Sequence, residues 1–290
     1  MINIISLPFL LNIILSGILL GGLYALIAFG LSLVFGVMGI INIAHGELLI
    51  MGSYIAYWLF RILGIHPFLG LIVAAVSVGL IGLLMQRFLI QPVFEKNPFN
   101  TLILCFGLSI ILQNVMLYAW GGWYRTLLLP EFSSSIWIGG VSINMGWLLI
   151  FIFSLLIMFI VYLWLRKTTL GTAIRAAAQD RDAASLMGIN VRLIYMLTFF
   201  IGAALAAVCG SFYVCIYDVH PWAGPTVKAF IITVIGGAGS FSGALLGGVI
   251  LGLTESLSTL IIPAAYKDVI GLLMFIIVLL IRPQGLFGRG

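Results

Sequence analysis

The stretch from Trp147 to Leu165 contains no charged residue, and Leu272 to Ile281 is apolar throughout. Runs of this kind decide which solvent the chain can live in. A helix that crosses hydrocarbon needs about 20 mostly apolar residues, and lipid admits only helices or closed barrels because backbone polar groups must be satisfied within the protein. A barrel strand would alternate apolar and polar residues, and these runs do not. They predict an all-α, polytopic transmembrane helical bundle that forms a single domain over residues 1–290. The composition agrees: 63% of residues are hydrophobic and 7% charged, against about a quarter charged in soluble domains.

Apolar runs between charged or Gly/Pro-rich breaks place spans near Leu7 to Val34, Leu48 to Phe60, Leu69 to Leu89, Thr101 to Trp120, Trp147 to Leu165 and Leu193 to Tyr217. Three more lie near Val227 to Ile235, Phe241 to Ile262 and Val269 to Ile281. The runs at Leu48 and Val227 are short, so either reads as half of a broken or re-entrant helix, and the number of spans is eight or nine. The first basic residue is Arg61. The N-terminus therefore lacks the positive region of a signal peptide and reads as a retained span. Lys and Arg in short loops set orientation. Nine spans collect Arg87, Lys96, Arg166, Lys167, Arg175, Arg181, Arg192, Arg282 and Arg289 on one side, against Arg61, Arg125, Lys228 and Lys267 on the other. The richer side is expected to be cytoplasmic, in a bacterial inner membrane, with the C-terminus inside.

The loop Arg166 to Arg192 holds seven of the 21 charged residues. It reads as two short helices, the first over Thr172 to Gln179. Asp180 is placed to cap the second, Asp182 favours its first turn, and Gly188 is placed to end it in the left-handed conformation. So short a helix cannot hide Ala183, Ala184, Leu186, Met187 and Ile189 by itself. Its apolar face rests either on lipid and its own bundle or on a partner.

Two Gly-rich breaks, Phe35 to Gly46 and Gly236 to Gly243, interrupt apolar stretches in the two halves. Paired breaks point to a solute path near the midplane, built as an inverted repeat, although no residue-by-residue repeat accompanies them. Close helix packing explains the glycines equally well, since Gly239, Gly243 and Gly247, or Gly17 and Gly21, have the four-residue spacing for it. Intramembrane polar residues are expensive and so are functional candidates: Asn42, His45 and Glu47 at the first break, Gln113 and Asn114 in the fourth span, and Glu255 in the eighth. Glu47 also fits a helix start, where the dipole favours a carboxylate. Glu255 also fits a pairing with a basic group or a neighbouring subunit, and His45 a structural hydrogen bond.

The net charge of +5 forms no basic stripe interleaved with aromatics, which argues against nucleic acid. Cys105, Cys209 and Cys215 lie inside apolar runs without CxxC spacing, so neither a disulfide framework nor a metal site is expected. No lysine follows a glycine, so a P-loop is absent. No catalytic constellation or cofactor motif is present, and any energy for transport comes from a partner or an ion gradient.

Three segments resemble a known family. They are GGLYALIAFGLSLVFGVMGIINIAHGELLIMGSYIA at Gly21 to Ala56, LGTAIRAAAQDRDAASLMGINV at Leu170 to Val191, and VIGGAGSFSGALLGG at Val234 to Gly248. The chain is similar to the LivH-type permease subunit of branched-chain amino acid ABC importers. The resemblance implies a second, LivM-like permease subunit, two cytoplasmic ATPase subunits and an extracytoplasmic solute-binding protein. It implies that the loop, with Arg175, Asp180, Arg181, Asp182, Leu186 and Gly188, sits in a groove of an ATPase. The path would run beside Asn42, His45, Glu47, Gly236, Gly237 and Ser240. An ion-coupled secondary transporter, or a permease of the same family for urea, short amides or small aromatic acids, are the alternative readings.

Overall fold

The computed structural model describes residues 7–94, 98–222, 225–237, 239–263, 266–282 and 284–287. Lys96, Ala238 and Arg289, used above for orientation or for the second break, lie outside them. The chain opens with α1 (Leu7–Met38), α2 (His45–Leu63) and α3 (Pro67–Met85). A π-turn over Gln86–Ile90 leads into α4 (Gln91–Phe94) and then α5 (Pro98–Trp120). Pro92 lacks an N–H and crowds the carbonyl four residues back, so a widened turn just before it relieves a helix that would otherwise break. A short α6 (Pro130–Ser133) precedes a hairpin of β1 (Ser135–Ile138) and β2 (Val141–Asn144), antiparallel with Ser135 opposite Asn144. There follow α7 (Met145–Lys167), α8 (Thr169–Gln179), α9 (Arg181–Leu186), α10 (Val191–Tyr213), α11 (Pro225–Gly236), α12 (Phe241–Ser258) and α13 (Lys267–Ile281).

Side chains start several of these helices where the backbone has no donor partner of its own. The Asn144, Thr168, Asn190 and Ser240 oxygens accept from the N–H of Trp147, Gly171, Leu193 and Gly243. Seven described helices are long and apolar enough to cross a membrane: α1, α2, the continuous Pro67–Phe94 helix, α5, α7, α10 and α12. Adding the shorter α11 and α13 gives nine apolar helices among the described residues, seven of them of spanning length, where the sequence predicts eight or nine spans. One end of the bundle carries α8 and α9 and is called the loop end. The other carries the β-hairpin, whose Ser142 N–H donates to Asn12 at the start of α1.

The buried core is built on small residues. Helices in lipid gain no hydrophobic force from meeting, so they associate by close van der Waals packing, which glycine permits. Along the α1–α12 contact, a Cβ at Gly252 would lie 2.4 Å from the Gly17 carbonyl oxygen, and one at Gly21 would lie 2.6 Å from the Val249 Cα. Along α10, Gly210 meets the Leu49 carbonyl of α2, and Ala203 and Ala207 meet Gly82 and Gly52. The exposed large apolar residues, such as Ile72, Phe106, Phe159 and Ile276, lie on α3, α5, α7 and α13, which form the lipid-compatible outside.

Two helices begin inside the bundle. After α1 ends at Met38, residues 39–44 turn back along it, and the Asn42 side chain accepts from the Ala44 N–H. The Nε2 of His45, at the start of α2, is 3.0 Å from the Ile27 carbonyl oxygen. At 1.5 Å per residue, Ile27 is roughly 16 Å back from the end of α1. The start of α11 meets this point, because the Gly46 N–H donates to the Thr226 hydroxyl at 2.9 Å. From there α2 runs toward the hairpin end and α11 toward the loop end, where the Leu286 N–H bonds the Ile235 carbonyl. The first break expected from the sequence thus meets the start of α11 inside the bundle, whereas the second, Gly236 to Gly243, lies at the loop end, between α11 and α12.

The sequence analysis counted Lys228 as a loop cation, but it is a residue of α11. Its Nζ lies 2.6 Å from the Tyr24 hydroxyl, 3.1 and 3.2 Å from the two carboxylate oxygens of Glu255, and 2.9 Å from Asp268. The Tyr24 hydroxyl donates to Glu255 at 2.7 Å. This network ties α11 to α1, α12 and the first turn of α13. The Glu255 side chain is only 2% exposed, so its charge has no solvent to fall back on if the ammonium is lost. Lys228→Met is expected to destabilise the protein by about 3–5 kcal/mol, the usual cost of leaving one charge of a buried pair. Adding Glu255→Gln to that variant should recover part of the loss, read as thermal unfolding in detergent. By the same measurement Gly252→Val is expected to cost about 1–3 kcal/mol or more, because α12 can no longer seat against α1.

Candidate functional site

The Arg166–Arg192 loop folds as its sequence predicts. Asp180 Oδ1 accepts from the N–H groups of Asp182 and Ala183, each at 2.9 Å, and Gly188 stands at φ +83° with the Ile189 N–H returning to the Ala184 carbonyl. These bonds satisfy the backbone at both ends of α9, which would be too short to persist unaided. Arg175 bonds the Leu165 carbonyl, closing the corner between α7 and α8, and also donates to Thr172 at 3.3 Å. The Arg181–Asp182 pair at 3.3 Å is exposed on both sides and adds little.

The apolar residues of the loop divide into two sets. Ile174, Ala177 and Ala184 are buried with Ile194, and Val37, Leu165 and Ile201 pack around them. The loop is thereby fixed to the loop-end turns of α1, α7 and α10. Leu186 and Met187 point away, 89% and 83% exposed. The expectation that a face must dock is met on one side only.

Beside the loop lies a recess of about 580 Å³ between α1, α7 and α8. Arg166 and Arg175 line it together with Ser32, Gly36 and Ser240. The second Gly-rich break forms its wall: the Gly239 N–H donates to Ser32 Oγ at 2.9 Å, and the Phe241 ring meets Phe29 edge-on at 5.5 Å between centroids. A second recess of about 550 Å³ opens at the hairpin end, with Asn12, Ser16, Asn144, Ser256 and Lys267 among its lining. Phe151 of α7, packed on Gly22 of α1, lies between the two.

The six residues expected to flank the path have different occupations. Asn42 makes its local turn, and His45 is fully enclosed, with its Cε1 3.0 Å from where a Cβ at Gly30 would be. Gly236 lies against the Gly243 carbonyl, Gly237 is at φ +88°, and Ser240 caps α12 while facing the loop-end recess. Glu47, in the first turn of α2 and 5% exposed, accepts from Gln113 of α5 at 2.8 Å through Oε1, and its Oε2 makes no hydrogen bond within the chain. Asn114, the neighbouring candidate on α5, faces outward and bonds only the Ile110 carbonyl of its own helix. The sequence reading did not pair Glu47 with Gln113 or Glu255 with Lys228. The equal spacing of polar and aromatic residues at 47, 54 and 58 in one helix and at 113 and 120 in another was the available signal for the first pair.

Residues 13–279 match the family model described as the permease component of branched-chain amino acid transport systems. The chain is 39% identical to the high-affinity branched-chain amino acid transport system permease protein LivH of Salmonella typhimurium, over 94% of both chains. It is 38% identical to BraD of Pseudomonas aeruginosa, a protein of the same description, again over 94% of both, and 31% identical to a probable LivH of Methanocaldococcus jannaschii over 96% of this chain and 92% of that one. No solved structure matches it. With a helical bundle, two helix starts meeting inside it and a capped loop at one end, and with relatives that match along nearly its whole length, the chain belongs to the family of permease components of branched-chain amino acid transport systems.

Proposed function

We propose that this permease is the membrane-spanning subunit of an ATP-driven importer for branched-chain or related amino acids, and that the Arg166–Arg192 loop is the element through which ATPase subunits move it. The observation that carries the reading is the divided surface of the loop. One side is packed into the ends of α1, α7 and α10, while Leu186 and Met187 stand exposed beside a capped, rigid turn. Such an element transmits a push from a partner in water to helices in lipid.

The loop end faces the cytoplasm in this reading. It carries Arg87, Arg166, Lys167, Arg175, Arg181, Arg192 and Arg282, against Arg61, Arg125 and Lys267 at the hairpin end, the asymmetry that orients inner-membrane proteins. An extracytoplasmic binding protein delivers the amino acid at the hairpin end, and a second, LivM-like permease completes the membrane unit with two ATPase subunits below. Closure of the ATP-bound subunits displaces α8 and α9, and α1 follows because Val37 is packed against them. The break at Gly236, Gly237 and Ser240 rests on α1 through Ser32 and Gly36, so it moves with α1 and carries the path beside Asn42, His45 and Glu47 between outward and inward access. ATP drives the cycle only through its different affinities for the two states.

Charge reversals at Arg175, Asp180 and Arg181, or Leu186→Asp with Met187→Asp, are expected to lower both copurification of the ATPase subunits and amino-acid uptake in proteoliposomes by tenfold or more. Uptake and association at the level of the parent in every loop variant would refute the coupling assignment.

A further inference from the structure

We propose that the seam between α2 and α5 is the polar track along which the amino acid enters from the hairpin end, with Glu47 receiving its ammonium group and Arg125, Trp58 and Tyr54 its carboxylate. This deepens the importer reading and rests on it. The inference starts from hydrogen bonds that are not made. Among the described residues, Glu47 Oε2, the Tyr54 hydroxyl, Trp58 Nε1 and Arg125 Nε are all buried and have no partner within the chain. A buried polar group left unsatisfied costs about 1–3 kcal/mol, and more when it is charged. Four in one place are therefore a concentration of unmet bonding capacity.

They share one place because of helical spacing. Glu47, Met51, Tyr54 and Trp58 recur at intervals of four, three and four and form one stripe of α2. Ser109, Gln113, Met116 and Trp120 repeat that spacing on α5. The two stripes run parallel in register: Gln113 donates to Glu47 at 2.8 Å, and Trp120 stacks on Tyr54 with centroids 4.7 Å apart and planes 14° from parallel. Beyond the end of α5, Arg125 closes the seam, with its guanidinium carbon 4.9 Å from the Trp58 ring centroid and 5.3 Å from that of Tyr57. Its Nη2 donates to the Trp120 carbonyl at 2.7 Å.

The chemistry is graded along this line. The hairpin end presents the donor-only guanidinium and indole and a phenol hydroxyl able to donate, which suits a carboxylate. The inner end presents a carboxylate oxygen beside the start of α2, which suits an ammonium. Successive groups on α2 are about 10 and 6 Å apart along the axis, at 1.5 Å per residue, so a zwitterion is handed from one to the next rather than held by all. The walls between them are Met51, Met116, Tyr54 and Trp120, adaptable and flat surfaces for an aliphatic side chain. Urea, an amide or an aromatic acid has no ammonium for Glu47 to receive.

The seam is able to open because α5 is held chiefly by α2 and residues 86–94, while Ile103, Phe106, Ile110, Asn114 and Tyr118 on its other side face outward.

The test uses the complete importer in proteoliposomes, with radiolabelled leucine and ATP inside. Glu47→Gln keeps the shape of the side chain and its place beside Gln113. It is expected to lower leucine uptake at least tenfold while the ATPase subunits still copurify, with Tyr54→Phe lowering it several-fold. As a second measurement, Cys105, Cys209 and Cys215 are replaced by Ala and Tyr54 by Cys. A membrane-impermeant methanethiosulfonate is expected to react at position 54 from the hairpin end during turnover, and excess leucine to slow that reaction severalfold. Uptake by Glu47→Gln and Tyr54→Phe at the rate of the parent overturns the assignment, as does a position 54 that is never modified during turnover, whatever the uptake of the other variants. A parent complex that takes up no leucine with ATP refutes the importer reading itself, an outcome distinct from both.

Discussion

A helix that starts inside hydrocarbon brings with it amide hydrogens that lipid cannot bond, so every such start needs a polar partner from the protein. This chain has two, α2 and α11, and part of the solution is to place them against each other: the Gly46 N–H of one meets the Thr226 hydroxyl of the other at 2.9 Å. Gly46 also has to be a glycine, because a Cβ there would fall on that same hydroxyl. With the starts joined, α2 and α11 diverge toward opposite ends of the bundle. In the irregular stretches that lead into them, Ile40, Asn42 and Ala44 ahead of α2, and Val219 and Pro221 ahead of α11, are buried. The rest of the architecture serves to enclose this junction: α1 runs past it from end to end, α12 lies along α1, and α10 covers α2.

The junction also places the charges. Because α11 begins inside the bundle, Lys228 in its first turn reaches Tyr24 of α1 and Glu255 of α12 before it reaches the surface at Asp268. The ammonium faces two carboxylates and a phenol, an arrangement that neutralises the buried Glu255 and leaves the exposed Asp268 as the outer member. A buried pair of this kind is weak evidence for stability, since hydrophobic replacements of similar size often do as well. Its effect here is on geometry: it fixes where the half-helix sits against α1, α12 and α13. Glu47 is differently placed, bonded by the neutral Gln113 and paired with no cation among the described residues.

The sequence made the spans legible because lipid leaves little choice: an apolar run of sufficient length is a helix. The loop was legible for the opposite reason, since Asp180 and Gly188 are chemical punctuation that acts within a few residues of itself. The breaks were visible as glycine clusters, but glycine serves close packing and irregular backbone alike, and the structure shows both uses in one segment: Gly236 packs on Gly243 while Gly237 and Gly239 take positive φ. The partners of polar residues were not legible. Tyr24 and Glu255 are separated by 231 residues, and Glu47 and Gln113 by 66, so neither contact is local, and only the matched spacing of the two helices points to the second. The π-turn ahead of Pro92 was hidden in the same way, inside an apolar run that continues straight through it.

The same rigidity that encloses the junction decides how motion can pass through the molecule. Much of the α1–α12 contact is backbone against backbone, at glycines 17, 21, 248 and 252, and the Tyr24–Glu255 hydrogen bond ties the two helices further. The pair therefore moves as a unit. In the proposed cycle, displacement of α8, packed on Val37, would tilt that unit, and Gly239 would follow through its bond to Ser32. The α5 helix, attached at the rim and chiefly through α2, is not part of the unit. A tilt of the core relative to α5 must then be taken up where packing is polar, aromatic and incompletely bonded, which is the α2–α5 seam. In this molecule the stiff contacts and the soft one lie in different places, so a push at the loop end has a defined place to be released.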